Sequence, residues 1–191
     1  SSLRSWSEHL ATFGGEVIAG RIKLINQIEP LFQIAYKNLS AKKLAKLGYK
    51  SSIPAPSVEK EENKESILKV IEEVKTQEIE RGISLVGPHR DDLLLNLGDH
   101  PVKSYASHGE SWSIALALRL ASYQLFINEG AKPILILDDV FSELDEGRRE
   151  KLLEIADSAE QTFITVAVEN DLPKAIQGAK FKVELGKVVT L

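Results

Sequence analysis

Asp138 and Asp139 stand together in the segment PILILDDVFSELD, Pro133 to Asp145, directly after the aliphatic run Ile134 to Leu137. Four aliphatic residues in a row predict a buried central strand, covered on both faces. The two carboxylates then fall at its carboxyl end, the edge of an open α/β sheet where ligands bind. Acids beside an apolar strand cost desolvation free energy unless a cation or hydrogen-bond donors compensate. A hydrated Mg²⁺ fits that role, because it takes oxygen ligands and keeps several waters. An acidic turn ending an ordinary strand is the alternative reading of the same residues.

A second polar cluster, Ser107-His108-Gly109-Glu110, precedes a long apolar helix pattern. Backbone N–H groups and the positive dipole end at a helix start attract anions. Gly109 lets a ligand approach the backbone, and the Ser107 hydroxyl can donate to a phosphate oxygen. The alternative is a serine N-cap with its capping-box acid three residues on, Glu110. A third cluster, His89-Arg90-Asp91-Asp92 within GPHRDD, lacks the ligand spacing of a closed zinc site. It reads as a structural turn with Arg90 ion-paired, although a DNA or interface role is also open.

The elements that must position these groups follow from hydrophobic spacing. Leu3 to Leu47 is mostly helical, with Leu10, Phe13, Val17, Ile18, Ile22, Ile25 and Ile28 as one apolar face. Pro30 either opens a new segment or kinks the old one. The pattern resumes through Leu31, Ile34, Ala35 and Leu39, and a short extended piece, LGYKSSI, follows. PAPSVEKEENKES reads as an exposed loop, and a second helix carries Ile67, Leu68, Ile71, Val74 and Ile79. Beyond Gly82, extended segments with a turn at Gly98 to Pro101 lead to a helix over 112–127, closed by Gly130. The central strand comes next, then a helix from Glu146 to Ala159, the strand TFITVAV and a hairpin turning near Gly186. Strands alternating with helices predict an α/β layer with at least partly parallel strands. We therefore expect an α-rich arm over 1–81 and an α/β unit over 82–191.

Composition narrows the function. The chain has 191 residues, 43% of them hydrophobic and 27% charged, as in an ordinary globular protein. With no cysteine, disulfides, thiolate metal sites and cysteine nucleophiles are excluded. No apolar run approaches a bilayer span, and no basic-then-apolar leader opens the chain, so no membrane partner and a cytoplasmic location are expected. The net charge of −4 argues against coating nucleic acid by bulk electrostatics. Residues 1–80 carry 12 Lys/Arg against 11 Asp/Glu, whereas residues 81–191 carry 12 against 17. Two basic groups, Lys42/Lys43/Lys46 and Arg148/Arg149/Lys151, read as solvated faces or as DNA contacts.

The order of these motifs is specific: a Ser-x-Gly-Glu helix start, a helix, an aliphatic strand ending in paired acids, then Ser142-Glu143-Leu144-Asp145. It resembles the C-terminal half of an ABC-type, SMC-like ATPase head. LVGPHRDDL and the Asp-Asp pair make it similar to the RecF family of DNA replication and repair proteins. The resemblance covers 82–168 closely and the helical segment more loosely.

That resemblance implies the following roles. Ser107, Gly109 and Glu110 form the signature motif, contacting the γ-phosphate of ATP held by a second protomer. Asp138 is the Walker B acid that holds Mg²⁺ through water, and Asp139 positions the attacking water. Ser142 to Asp145 form the loop crossing the dimer interface. The implied function is ATP-dependent binding of gapped or single-strand/double-strand junction DNA, as a homodimer working with recombination mediator proteins in DNA repair and the SOS response. Another SMC-like or transporter-type ATPase, a non-catalytic binding fragment and a stand-alone metal hydrolase are the alternatives.

Two departures matter. No G-x-x-x-x-G-K-[ST] phosphate loop is present. GEVIAGRI, Gly15 to Ile22, imitates its glycine spacing, but has Arg21 and Ile22 where Lys and Ser/Thr are required. The histidine that many ABC ATPases carry after the last core strand is also missing from TFITVAVEND, where Glu169 is the first acid. The chain, which lacks methionine and begins Ser-Ser, reads as the back half of an ATPase and is expected not to hydrolyse ATP alone.

Overall fold

The computed structural model describes residues 2–40, 43–142, 144–168, 172 and 176–190. The chain divides into two compact units, Ser1–Glu129 and Gly130–Leu191.

In the first unit, α1 (Ser2–Leu39) runs unbroken through Pro30. Pro30 removes one intrahelical donor, but the buried face continues past it through Ile28, Phe32, Ala35, Tyr36 and Leu39. Packing of that face sustains the helix. The face shares Ile18 and Ile28 with the expected one, and Leu10 and Ile22 pack beside the core, but Phe13 and Val17 do not belong to it. Ala11, Gly14, Gly15, Ile18 and Ala19 are buried, whereas Phe13, Val17 and Ile34 are exposed. The spacing contained two apolar stripes, and close approach to α2 (Lys60–Arg81) selected the one made of small residues. A Cβ added at Gly15 would lie 2.6 Å from the Lys60 carbonyl oxygen, and one at Gly14 3.0 Å from Ile67 Cδ1. Of the two glycines that imitate a phosphate loop, Gly15 thus marks a helix crossing, whereas nothing lies within 4 Å of a Cβ at Gly20.

Helix α2 begins inside the stretch expected to be loop. Its N-cap, Glu59, provides no side-chain cap, so the start is fixed from within by Asn63. The buried Asn63 amide accepts the Ser57 N–H (2.8 Å) and donates to the Ser57 carbonyl (2.7 Å) and the Gly15 carbonyl (3.4 Å). A polar side chain with its bonds satisfied can be buried where composition alone reads as surface. Gly82, at φ +62°, ends the helix in the left-handed conformation. Ala11, Ile18, Ile53, Ile67, Ile71 and Val86 form the core between these elements.

Strand β1 (Ala45–Lys50) pairs antiparallel with β2 (Asp92–Leu97), from Ala45↔Leu97 to Lys50↔Asp92. The helical reading up to Leu47 therefore overran, since the chain is already extended at Ala45. β2 turns through Gly98 and Asp99 into the two-residue β3 (His100–Pro101). Residues 83–91, expected to be extended, form irregular backbone with bends and a turn at Pro88 and His89 instead. A one-turn α3 (Val102–Tyr105) leads to α4 (His108–Asn128), which buries Ser113, Ile114, Leu116, Ala117, Leu120 and Ala121 and packs on α1.

In the second unit, β4 (Leu135–Asp138) pairs parallel with β5 (Thr162–Thr165) through α5 (Glu146–Ser158). Leu135 and Leu137 are buried, but Ile134 and Ile136 are 54% and 66% exposed. The expectation of a strand covered on both faces is therefore corrected. Among the described residues the sheet has only β4 and β5, and side chains alternate in a strand, so one face stays open. β6 (Phe181–Glu184) and β7 (Lys187–Thr190) form the expected hairpin, with Leu185 and Gly186 both at positive φ as in a type I′ turn.

Candidate functional site

The tip of α4 is set by local chemistry. Ser107 Oγ accepts the Glu110 N–H (3.3 Å), and Glu110 Oε2 accepts the Ser107 N–H (2.9 Å) and the Ser107 hydroxyl (3.0 Å). This is a complete capping box. Ser113 Oγ ties to the Gly109 carbonyl at 2.8 Å, anchoring the first turn to the buried side of the helix. Ser107 is exposed, while Gly109 and Glu110 are partly exposed. The two readings of this cluster coexist, since the capping box forms at a tip that still faces solvent.

A contact that sequence reasoning missed completes the tip. Lys43 Nζ lies 2.9 Å from Glu110 Oε1, from a segment 67 residues earlier. The Lys43 ammonium, then the Ser107 N–H and hydroxyl, lower the Glu110 carboxyl from 4.5 to about 2. A depressed carboxyl contributes stability that is full above the unfolded value and lost as pH falls through the folded one. Acid titration followed by circular dichroism is therefore expected to show a small destabilisation between about pH 4.5 and 2, small because solvent screens the exposed pair, and Glu110→Gln should flatten that window. A wild-type profile superimposable on that of Glu110→Gln would refute the assignment. In the basic group containing Lys43, Lys42 lies outside the described residues.

The acidic strand end belongs to the second unit. Asp138 is the last residue of β4 and exposed, and its carboxylate accepts a short hydrogen bond from the Thr165 hydroxyl. Asp139 adopts φ +49°, a left-handed conformation that Asp tolerates better than most residues. Its N–H donates to the Thr165 carbonyl (3.1 Å), and its carbonyl accepts from Ser142 Oγ (3.0 Å). Thr165 thus organises both acids. It stands opposite Asp138 in the parallel register, which the sequence does not reveal. Asp145 caps α5, accepting the Arg148 N–H at 3.0 Å. Arg149 Nε donates to the Phe141 and Leu144 carbonyls, both at 2.9 Å, and so folds the loop of Ser142 and Asp145. Lys151 pairs with Glu154. Glu143 and Glu169 lie outside the described residues.

The GPHRDD segment is a turn, but not the one expected. Arg90 Nε donates to the Ser84 carbonyl (2.7 Å) instead of pairing with a carboxylate, because the turn folds the guanidinium back along its own chain. Asp91 is the hub, accepting the Ser52 N–H (2.6 Å) and a short bond from the Tyr49 hydroxyl. Burial, and then the Asp91 bond, push the Tyr49 hydroxyl up to about 12. Arg21, from the false phosphate loop, donates to the Pro88 carbonyl at 2.6 Å. Among the described residues no group of three or more His, Cys, Asp or Glu is arranged to hold a metal, and no helix is long and apolar enough to cross a membrane.

Comparison with known proteins follows the motifs. The chain is 48% identical to the DNA replication and repair protein RecF of Streptomyces avermitilis over 190 residues, covering 98% of this chain and 51% of that protein. It is 43% identical to RecF of Beutenbergia cavernae over 210 residues, covering 98% and 53%. The chain thus spans about half the length of the curated relatives it matches. The recombination mediator protein RecF–ATP of the RecFOR pathway superposes with a TM-score of 0.82 at 24% identity, over 99% of this chain and 50% of that one. An SMC ATPase studied for ATP-driven dimerization matches with a TM-score of 0.53 at 14% identity, over 91% and 89%, which speaks to the fold alone. No family model matches the chain. The fold is that of RecF and SMC ATPase heads, an α/β arrangement with parallel strands.

Proposed function

Because this chain is homologous to RecF over the half that it spans, we propose that it supplies the signature-motif and acidic-strand side of an ATP-dependent DNA repair and replication protein. The arm over 1–81 and the head portion over 82–191 are part of the same proposal. One observation carries it: a single chain exposes both a serine-capped helix tip at Ser107 and a paired-acid strand end at Asp138 and Asp139.

Ser107, Gly109 and Glu110 face the γ-phosphate of an ATP held by a second protomer, where the α4 dipole favours negative charge. Asp138, oriented by Thr165, would hold Mg²⁺, which would supply charge neutralisation at the phosphates. The donor set fits. Two exposed carboxylates, Asp138 and Asp139, match an ion that keeps waters and takes other ligands from phosphate. Asp139 orients the attacking water, and Ser142 to Asp145 line the protomer interface. Such catalysis is mostly positioning and charge stabilisation. The assembled homodimer binds gapped or junction DNA with mediator proteins, in the cytoplasm. The open apolar face of Ile134, Ile136 and Phe163 also supports the reading, because a further sheet portion would cover it.

Co-expressed with the remaining half of the Streptomyces avermitilis relative, the chain is expected to copurify, to turn over ATP with Mg²⁺ and to associate on gapped DNA. Alone it is expected to do none of these. Magnesium-dependent turnover by the chain alone, lost on Asp138→Ala, would overturn the proposal.

A further inference from the structure

We propose that Lys43 is a positioning residue for the α4 tip: by pairing with Glu110 it holds that carboxylate across Ser107 as a latch, and it receives the carboxylate when a phosphate takes its place. This rests on the reading of the α4 tip as a phosphate contact. The geometry divides the carboxylate in two. Oε1 meets Lys43 Nζ at 2.9 Å, while Oε2 takes the Ser107 N–H and hydroxyl at 2.9 and 3.0 Å. A hydroxyl has one proton to donate. While Ser107 gives it to Glu110, it cannot give it to a phosphate.

An arriving phosphate therefore meets an anion already seated at the tip. For the exchange to occur, Oε2 must leave Ser107 with its charge still compensated, and Lys43 is placed to compensate it. The pair is half-exposed, at 51% for the lysine side chain and 23% for the glutamate. Exposed ion pairs contribute little to folding and rearrange readily. That suits a latch better than a strut. The lysine is raised by the same bond, so the contact is mutual. Lys43 also reaches α4 from the segment between α1 and β1, so the latch joins the arm-side chain to the signature helix.

Two measurements test this. In the chain as it stands, the Glu110 carboxyl followed by ¹³C NMR is expected to titrate near 2, to move up towards 4.5 in Lys43→Ala, and to return in Lys43→Arg. An unmoved carboxyl in Lys43→Ala overturns the proposal. In the co-expressed assembly, Lys43→Ala is expected to weaken ATP-dependent association by about two- to fivefold. Lys43→Arg should restore it, and Lys43→Ala combined with Glu110→Gln should be no weaker than Glu110→Gln alone. Additive losses overturn the proposal, since Lys43 would then touch the ligand itself. A wild-type assembly that does not respond to ATP overturns the phosphate reading of the tip and the latch with it. The NMR result then decides separately whether Lys43 holds Glu110.

Discussion

Asp139→Asn is expected to lower ATP turnover by the assembled protein about 10²- to 10³-fold while leaving its folding intact. The substitution is chosen for its geometry. Asp139 sits at φ +49°, and Asn enters that region about as readily as Asp. The backbone bonds that hold the residue, its N–H to Thr165 and its carbonyl from Ser142, do not involve the carboxylate. Only the charge is lost. If Asp139 orients the attacking water, the barrier rises by the loss of that contact alone. Steady-state turnover with saturating ATP and Mg²⁺, alongside a melting curve, reads both effects. Turnover within threefold of wild type would remove Asp139 from the mechanism. A collapse of the melting temperature would instead give it a purely structural part.

Gly15→Leu is expected to destabilise the first unit by about 3 kcal/mol, the largest effect expected from a residue outside the acidic and signature clusters. Its Cβ alone would meet the Lys60 carbonyl oxygen at 2.6 Å and the Lys64 nitrogen at 3.0 Å, and both are backbone atoms that cannot swing aside. Relief requires α1 and α2 to separate along the core of Ile18, Ile67 and Ile71. Gly20 is the internal control. Nothing lies within 4 Å of a Cβ there, so Gly20→Ala is expected to stabilise by about 1 kcal/mol through helix propensity. Urea denaturation of both variants tests the pair. Equal effects at the two positions would mean that the glycines serve something other than the crossing.

Gly15 and Gly20 also show where sequence reasoning stops. Their spacing, with Arg21 after the second, was rightly set apart from a phosphate loop, but the sequence held no hint of the neighbour that explains Gly15. The same division runs through the candidate site. Ser107 with Glu110 was legible because a capping residue meets backbone three positions away, and no distant residue is needed. Gly82 and Gly186 punctuate the chain for the same local reason, as left-handed conformations favour glycine. The helix over 146–159 came close to its observed bounds, whereas the strand TFITVAV begins where expected but ends already at Thr165.

What the tertiary structure alone decided involves partners far apart in sequence. Lys43 finds Glu110 across 67 residues, and Thr165 meets Asp138 only once β4 and β5 pair in register. Asn63 draws helix α2 back into a stretch that composition assigns to loop, because burial with full hydrogen bonding overrides polarity. Phe13 and Val17 lost the contest for the α1 face to Ala11, Gly15 and Ala19, since helix spacing offers stripes and only the neighbour chooses among them. Ile136 faces solvent although its strand reads as fully apolar, since hydrophobicity is a property of the residue and burial a property of what packs against it.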